Sequence, residues 1–320
     1  MSEKSERPEN SERSERSEKD GKAERTGKSG MAEQQARLAV FKTYKLYVGG
    51  KFPRSESGRV YEVTDSKSGQ WLANAPLASR KDARDAVVAA RKAVAGWSGA
   101  TAYNRGQVLY RVAEMLEGRR EQFVREVAEA EGLSKARAAA AVDAAVDRWV
   151  WYAGWTDKIA QVVGGANPVA GPFFNLSTPE PTGVVAVLAP QESSLLGLVS
   201  VLAPVIATGN TAVVVASQRA PLPALSFGEV LASSDVPSGV VNVLSGRTAE
   251  LAAPLAAHGD VNALDLAGAD ADLAVELEAA AADTLKRVRR PAAEDWAAEP
   301  GTSRLTAWLE TKTVWHPIGV

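Results

Sequence analysis

The residue types that usually carry covalent or metal chemistry are scarce in this chain of 320 residues, which has no Cys and only two His, His258 and His316. That excludes disulfides, thiolate metal sites and a cysteine nucleophile, and with so few imidazoles no metal site is expected. The remaining nucleophile candidates are Ser193 and Ser194, directly after Glu192. A serine hydroxyl attacks only when a neighbouring base takes its proton. Neither His is near in sequence, so both serines read as helix-capping residues ahead of Leu195. Glu192 as a general base would need a partner acid, and none is visible. Gly27-Lys28-Ser29 has the last three residues of a phosphate-binding loop, but Gly21 lies one residue too far upstream and no strand precedes it.

The elements that must position any site are clearer. Residues 1–30 hold eight Lys/Arg and eight Asp/Glu and no Val, Ile, Leu or aromatic residue, so they read as a disordered polyampholyte. Met31 follows directly and is a possible alternative start. Beyond them, 45% apolar residues suffice for a large core, and a net charge of −2 speaks against a nucleic-acid partner. The longest apolar run, residues 195–207, contains Ser200 and Pro204 and is too short to span a bilayer. The charged N-terminus has no apolar signal core. A cytoplasmic protein with no membrane partner is expected.

Residues 47–52 and 60–63 suggest a β-hairpin. Apolar spacings of three and four predict helices over 80–94, 105–130 and 135–162, the last carrying Trp149, Trp151, Tyr152 and Trp155 as packing residues. After Pro181, strand and helix patterns alternate: strands at 184–188, 211–215, 240–244 and 263–266, with helices at 195–207, 222–231, 249–257 and 273–282. Near-continuous apolar strands separated by helices predict an α/β fold, a doubly wound parallel sheet covered on both faces. No G-x-G-x-x-G occurs, so the ordinary dinucleotide fingerprint is absent.

Several stretches carry a resemblance. Leu46-Tyr47-Val48-Gly49-Gly50-Lys51, Tyr152-Ala153-Gly154-Trp155-Thr156-Asp157-Lys158-Ile159, Pro181-Thr182-Gly183-Val184-Val185, Gly209-Asn210-Thr211, Pro237-Ser238-Gly239-Val240-Val241-Asn242-Val243 and Glu310-Thr311-Lys312-Thr313-Val314-Trp315 are similar to segments of the NAD(P)-dependent aldehyde dehydrogenase family. The resemblance implies a Rossmann-like dinucleotide-binding domain with N-terminal helices and oligomerisation strands. It also implies a catalytic domain with a Cys nucleophile between the last Rossmann helix and the C-terminal tail. Here about twenty residues, 286–304, occupy that place. The expected organisation is a disordered tail at 1–40, a dinucleotide-binding-type domain at 41–285 with an oligomerisation arm at 165–182, a linker at 286–304, and an oligomerisation strand at 305–320.

Against the family pattern, the chemistry looks lost at several points. Glu192 stands at the position of the oxyanion-stabilising Asn, where a carboxylate would repel a developing oxyanion. Val215-Ala216-Ser217-Gln218 replaces the ribose-binding Lys-Pro-Ser-Glu. Gly268-Ala269-Asp270-Ala271-Asp272 replaces the turn that faces the pyrophosphate, so Asp270 and Asp272 would hold the helix N-terminus that a phosphate needs. Arg290-Pro291-Ala292 falls near the family's catalytic Glu segment. What the resemblance leaves for a cofactor is Pro190, Ser217, Gln218, Gly246 and Gly268, so no cofactor is expected, with weak NAD(P) binding as the alternative. The expected function is a catalytically inactive, aldehyde-dehydrogenase-like subunit or scaffold. Its expected partner is a complete aldehyde dehydrogenase or a second copy of itself. The alternatives are an oxidoreductase turning aldehydes into acids with NAD(P), and a residual dinucleotide-binding module. The tail at 308–315 is expected either to fold back on its own domain or to add as a strand to a partner's sheet.

Overall fold

The apolar runs after Pro181 become the centre of a parallel sheet in the computed structural model of the chain, which describes residues 40–319. The charged tail expected at 1–40 and Gly27-Lys28-Ser29 fall, but for residue 40, outside the described residues. Contacts divide the chain into residues 1–42 and residues 43–320. Every element below belongs to the second unit.

Strands β5 (Val184–Leu188), β6 (Thr211–Val215), β7 (Val241–Leu244) and β8 (Ala263–Asp265) are buried throughout, and β9 (Arg287–Arg289) completes the sheet. The order is β7-β6-β5-β8-β9, all parallel. Side chains alternate between two cores, as the pleat requires. Val185, Val187, Ala212 and Val214 enter one cluster; Val184, Ala186, Leu188, Val213 and Val215 enter the other. Helices α1 (Arg80–Gly99), α8 (Thr248–Ala257) and α9 (Ala271–Ala282) supply the second cluster. The first is built from α2 (Ala102–Glu117), α3 (Arg120–Glu131), α4 (Lys135–Ala153), α6 (Leu196–Ala207) and α7 (Leu222–Ala232). This is the doubly wound layout predicted from the pattern, with a fifth strand inside the stretch expected to be a linker.

Three local expectations need correction. The hairpin forms between β1 (Val60–Thr64) and β2 (Trp71–Pro76), not between residues 47–52 and 60–63. Asp65 Oδ1 accepts from the backbone of Lys67 and Ser68 and from the Ser68 hydroxyl, and so closes the turn. Tyr47 instead exchanges backbone bonds with Val243 and extends the sheet edge. The helix expected over 105–130 is two helices, because α2 ends at Gly118, whose N–H returns to Glu114. The helix expected over 135–162 stops at Gly154, and a short α5 (Ile159–Val163) follows. The aromatic residues there do pack: Trp149 stacks on Phe227 at 5.8 Å, and Trp151 meets Tyr152 edge-on at 4.8 Å.

A second sheet forms the arm. Strand β4 (Phe173–Pro181) lies between the short β3 (Gly165–Asn167) and β10 (Leu309–Pro317), with antiparallel pairing on both sides. The C-terminal strand therefore folds back on its own chain. Between β9 and β10 runs a strap, residues 290–308, that includes α10 (Ser303–Thr306).

Ion pairs pin the strap to the sheet. Arg304 donates to Asp265, at the end of β8, at 2.6 Å, and to Glu294 at 2.7 Å. Asp265 is fully buried and the Arg304 side chain is 7% exposed. Arg304 also lies 5.4 Å from the Trp296 ring. Arg148 of α4 donates to Ser200 and to the Ala298 carbonyl. Burial holds the Asp265 carboxyl above the usual carboxylate range despite the guanidinium beside it.

Candidate functional site

A sheet ordered β7-β6-β5-β8-β9 reverses direction between β5 and β8. In open α/β sheets that switch point, at the carboxyl ends of the strands, is where ligands bind. The loops following β5, β6, β7 and β8 therefore define the candidate site, and they hold every residue singled out above for a cofactor.

Ser217 donates through Oγ to the Gln191 carbonyl at 3.0 Å, next to buried Pro190, and accepts from the Ala220 amide at 3.1 Å. Gln191 Oε1 accepts from the Gln218 amide at 2.9 Å, and Gln218 Oε1 accepts from the Thr248 amide at the start of α8 at 3.0 Å. The two glutamines thus tie the ends of β5, β6 and β7 to one another. Gly246 follows β7 with φ 152°, and a Cβ there would lie 3.3 Å from the Ala78 nitrogen. Gly268 bonds through its N–H to the Leu188 carbonyl at 2.9 Å, and a Cβ on it would fall 2.0 Å from the Ala189 carbonyl oxygen. Close backbone packing across the switch point therefore accounts for this glycine without a ligand.

Three carboxylates sit at two of the helix N-termini of this edge. Asp270 caps α9, accepting from the Leu273 amide at 2.9 Å, with Asp272 in the first turn. Glu131, at the end of α3, accepts from the Ser194 amide at 2.7 Å and its hydroxyl at 2.6 Å, just before α6. Burial raises the Glu131 carboxyl, while the hydrogen bonds from Ser194 and Leu195 oppose the rise. Ser193 Oγ accepts from the Gly197 amide in the first turn of α6 at 2.9 Å, but the N-cap itself is Leu195, which has no side-chain cap, so neither serine holds the cap position expected of it. Ser194 instead spends its hydroxyl on Glu131. Glu192 points to the surface and pairs with Arg219 at 2.9 Å, both more than two-thirds exposed, so the pair adds little stability. His258 lies at the turn from α8 into β8, at the opposite edge of the sheet.

The cavity here, lined by Thr64, Ser66, Glu131, Gln191, Glu192 and Arg219, has a volume of about 210 Å³. That is below the ~300–1,000 Å³ of ordinary ligand pockets. A dinucleotide's pyrophosphate needs free amides and positive charge at a helix N-terminus. At this edge Asp270 and Glu131 already take those amides, with negative charge, and Val215 is fully buried in the strand. The residues present do not fit that group. No cluster of three or more His, Cys, Asp or Glu suited to a metal occurs among the described residues.

Sequence reasoning missed two of these features. Glu131 gave no signal, because its partner Ser194 is far away in the chain. Asp265 did give one: a carboxylate inside the apolar run Ala263-Leu264-Asp265-Leu266 requires a buried cation.

The fold and the site together define a doubly wound, dinucleotide-binding-type α/β unit that carries an antiparallel arm. The characteristic sequence of the aldehyde dehydrogenase family matches residues 52–290, and the chain belongs to that family. It is 31% identical over 239 residues to the cytosolic 10-formyltetrahydrofolate dehydrogenase of Mus musculus, covering 72% of this chain and 26% of the relative. It is 32% identical over 255 residues to retinal dehydrogenase 2 of Gallus gallus, covering 77% and 48%. An aldehyde dehydrogenase of Bacillus cereus, solved as an NAD+ complex, superposes with a TM-score of 0.72 at 26% identity, covering 77% of this chain and 50% of that one. The chain thus spans from about a quarter to half the length of these relatives. No helix among the described residues is long and apolar enough to cross a membrane.

Proposed function

We propose that this chain is a catalytically silent member of the aldehyde dehydrogenase family, acting as a non-catalytic subunit or scaffold in a hetero-oligomer with a complete aldehyde dehydrogenase. The observation that carries the proposal is the strap. Residues 290–308 lead directly from the last strand of the parallel sheet to the arm, where the resemblance calls for a Cys-bearing domain. The chain has no Cys to attack an aldehyde, Glu192 stands at the position of the family's oxyanion donor, and Arg290-Pro291-Ala292 falls near its catalytic Glu segment. The arm, by contrast, forms a three-stranded sheet, and the outer edge of β10 has no neighbouring strand among the described residues. Such an edge is a template for strand addition. The cytosolic description of one relative fits a cytoplasmic setting.

The test has two parts. The purified chain, without a partner, yields no aldehyde-dependent NAD(P)H above a denatured blank; steady turnover would show an active oxidoreductase instead. Co-expressed with the complete homologue from the same genome, the chain elutes as a mixed oligomer by size-exclusion chromatography with mass detection. Deleting residues 305–320 abolishes that species. Separate elution of the two proteins overturns the subunit reading.

A further inference from the structure

The hydrogen-bond phase of β10 decides what its open edge can accept. The Thr182 amide donates to the Trp308 carbonyl at 3.2 Å, and the Ile318 amide to the Pro172 carbonyl at 2.8 Å. Both bonds lie on the register that pairs Leu309 with Pro181 and Pro317 with Phe173. In an antiparallel ladder, bonded and non-bonded pairs alternate. Counting inward from both ends, Glu310, Lys312, Val314 and His316 direct their backbone groups at β4. Leu309, Thr311, Thr313 and Trp315 direct theirs outward. The prolines agree: Pro179 and Pro181 sit opposite Thr311 and Leu309, so neither interrupts the ladder by lacking an N–H. The outer edge therefore presents a donor and an acceptor at alternate residues from Leu309 to Trp315, and Pro317 ends the row.

We propose that this edge pairs with the same edge of a second copy of the chain, through a two-fold axis at Thr313, joining the two three-stranded arms into one continuous sheet. The strand is complementary to itself in that register. Thr313 meets the partner's Thr313, and Thr311 meets the partner's Trp315, each pair exchanging outward backbone groups. On the other face, Glu310, paired with Arg287 of its own chain, comes opposite the partner's His316, and Lys312, paired with Glu180, comes opposite the partner's Val314. A slip of one residue would set outward groups against groups already bonded to β4. A slip of two residues toward the N-terminus would bring the Lys312 ammonium against its own copy. The match in length and bonding phase points to a second copy as the occupant.

Burial supplies a further reason. Trp315 is 58% exposed and Val314 45% exposed. Trp315 meets Phe173 edge-on at 5.8 Å, an aromatic pair left in water at the end of the arm. Pairing covers part of both residues, and it removes a nine-residue edge that would otherwise recruit other chains. Self-pairing concerns the chain on its own and does not rest on the subunit reading. Its consequence for that reading is competition, because a complete homologue would have to displace the second copy from β10.

The absence of Cys makes the test clean. Thr313→Cys introduces a lone thiol, and a bonded antiparallel pair sets the two Cα atoms about 5.5 Å apart, within disulfide range. Mild oxidation of the full chain is expected to give a covalent dimer at least roughly tenfold faster for Thr313→Cys than for Lys312→Cys, whose thiol faces the partner's Val314. By sedimentation at micromolar concentration, the wild-type chain is a dimer. Thr311→Pro removes an outward N–H but none directed at β4; it is a monomer that melts with the wild-type chain diluted below its dimer dissociation constant. A wild-type monomer, or equal cross-linking at both positions, overturns the proposal whether or not a mixed oligomer forms when the complete homologue is added. If self-pairing holds and the mixed oligomer fails to form, the subunit reading alone is lost.

Discussion

Replacing Arg304 by Met tests whether the strap is held by a buried charge. Asp265 is fully buried at the end of β8, and Arg304 donates to it at 2.6 Å. The methionine keeps most of the apolar stem and removes the guanidinium. The carboxylate is then left in the core with the Ala267 amide as its one remaining hydrogen-bond donor. Breaking a buried pair from one side costs about 3–5 kcal/mol, far more than the net worth of the intact pair. For a folded unit of this size, with an unfolding entropy of about 2.1 cal/mol/K per residue, that lowers the melting temperature by roughly 5–9 °C. The effect depends on pH with a definite sign. Burial already raises the Asp265 pKa, and losing the Arg304 charge raises it further. A carboxyl raised in the folded state is comfortable when neutral; its contribution is full below the unfolded value and is lost as pH rises through the folded one. The Met variant therefore has its largest deficit near neutral pH, and the deficit narrows toward about pH 4. Urea denaturation of wild type and variant at both pH values measures this. Asp265→Asn in the Arg304→Met background keeps the acceptor for Ala267 and removes the charge, and it is expected to recover more than half of the loss. A single-variant deficit under about 1 kcal/mol at neutral pH, or one that does not change with pH, would refute a buried-charge clamp.

Other outcomes follow from the switch point. Gly268→Ala places a methyl 2.0 Å from the Ala189 carbonyl oxygen and is expected to cost about 3 kcal/mol. Gly259→Ala, with nothing within 4 Å, shifts the melting temperature by less than the error of the scan. Glu131→Gln mimics the neutral form that burial favours, so the variant gains stability relative to wild type as pH rises from 4 to 7 in urea titrations. Titration calorimetry with NAD or NADP gives no dissociation constant in the micromolar range, because losing one charge-assisted contact costs about 1.5–3 kcal/mol, or one to two decades of affinity. A micromolar value would show that the glutamine ties open for the ligand.

What the sequence shows plainly is whatever depends on short-range pattern. The strands of the parallel sheet read from their apolar runs, and Asp270 reads as a cap because capping is a matter of three or four residues. Gly118 ended a helix early because a C-terminal cap needs no apolar break to announce it, and the Asp65 turn redirected a hairpin through side-chain bonds that hydrophobic alternation does not register. The features that shape the candidate site depend on distance in the chain. Glu131 reaches Ser194, and Arg304 reaches Asp265, across whole helices and strands. Both relationships bear on one question, how the carboxyl edge of the sheet is stabilised. In each, a carboxylate beside the switch point is satisfied from within the chain: Glu131 by the start of α6, Asp265 by the strap. The same strap carries the chain on to β10. One segment thus secures the end of β8 and delivers a strand whose outward bonding phase remains open.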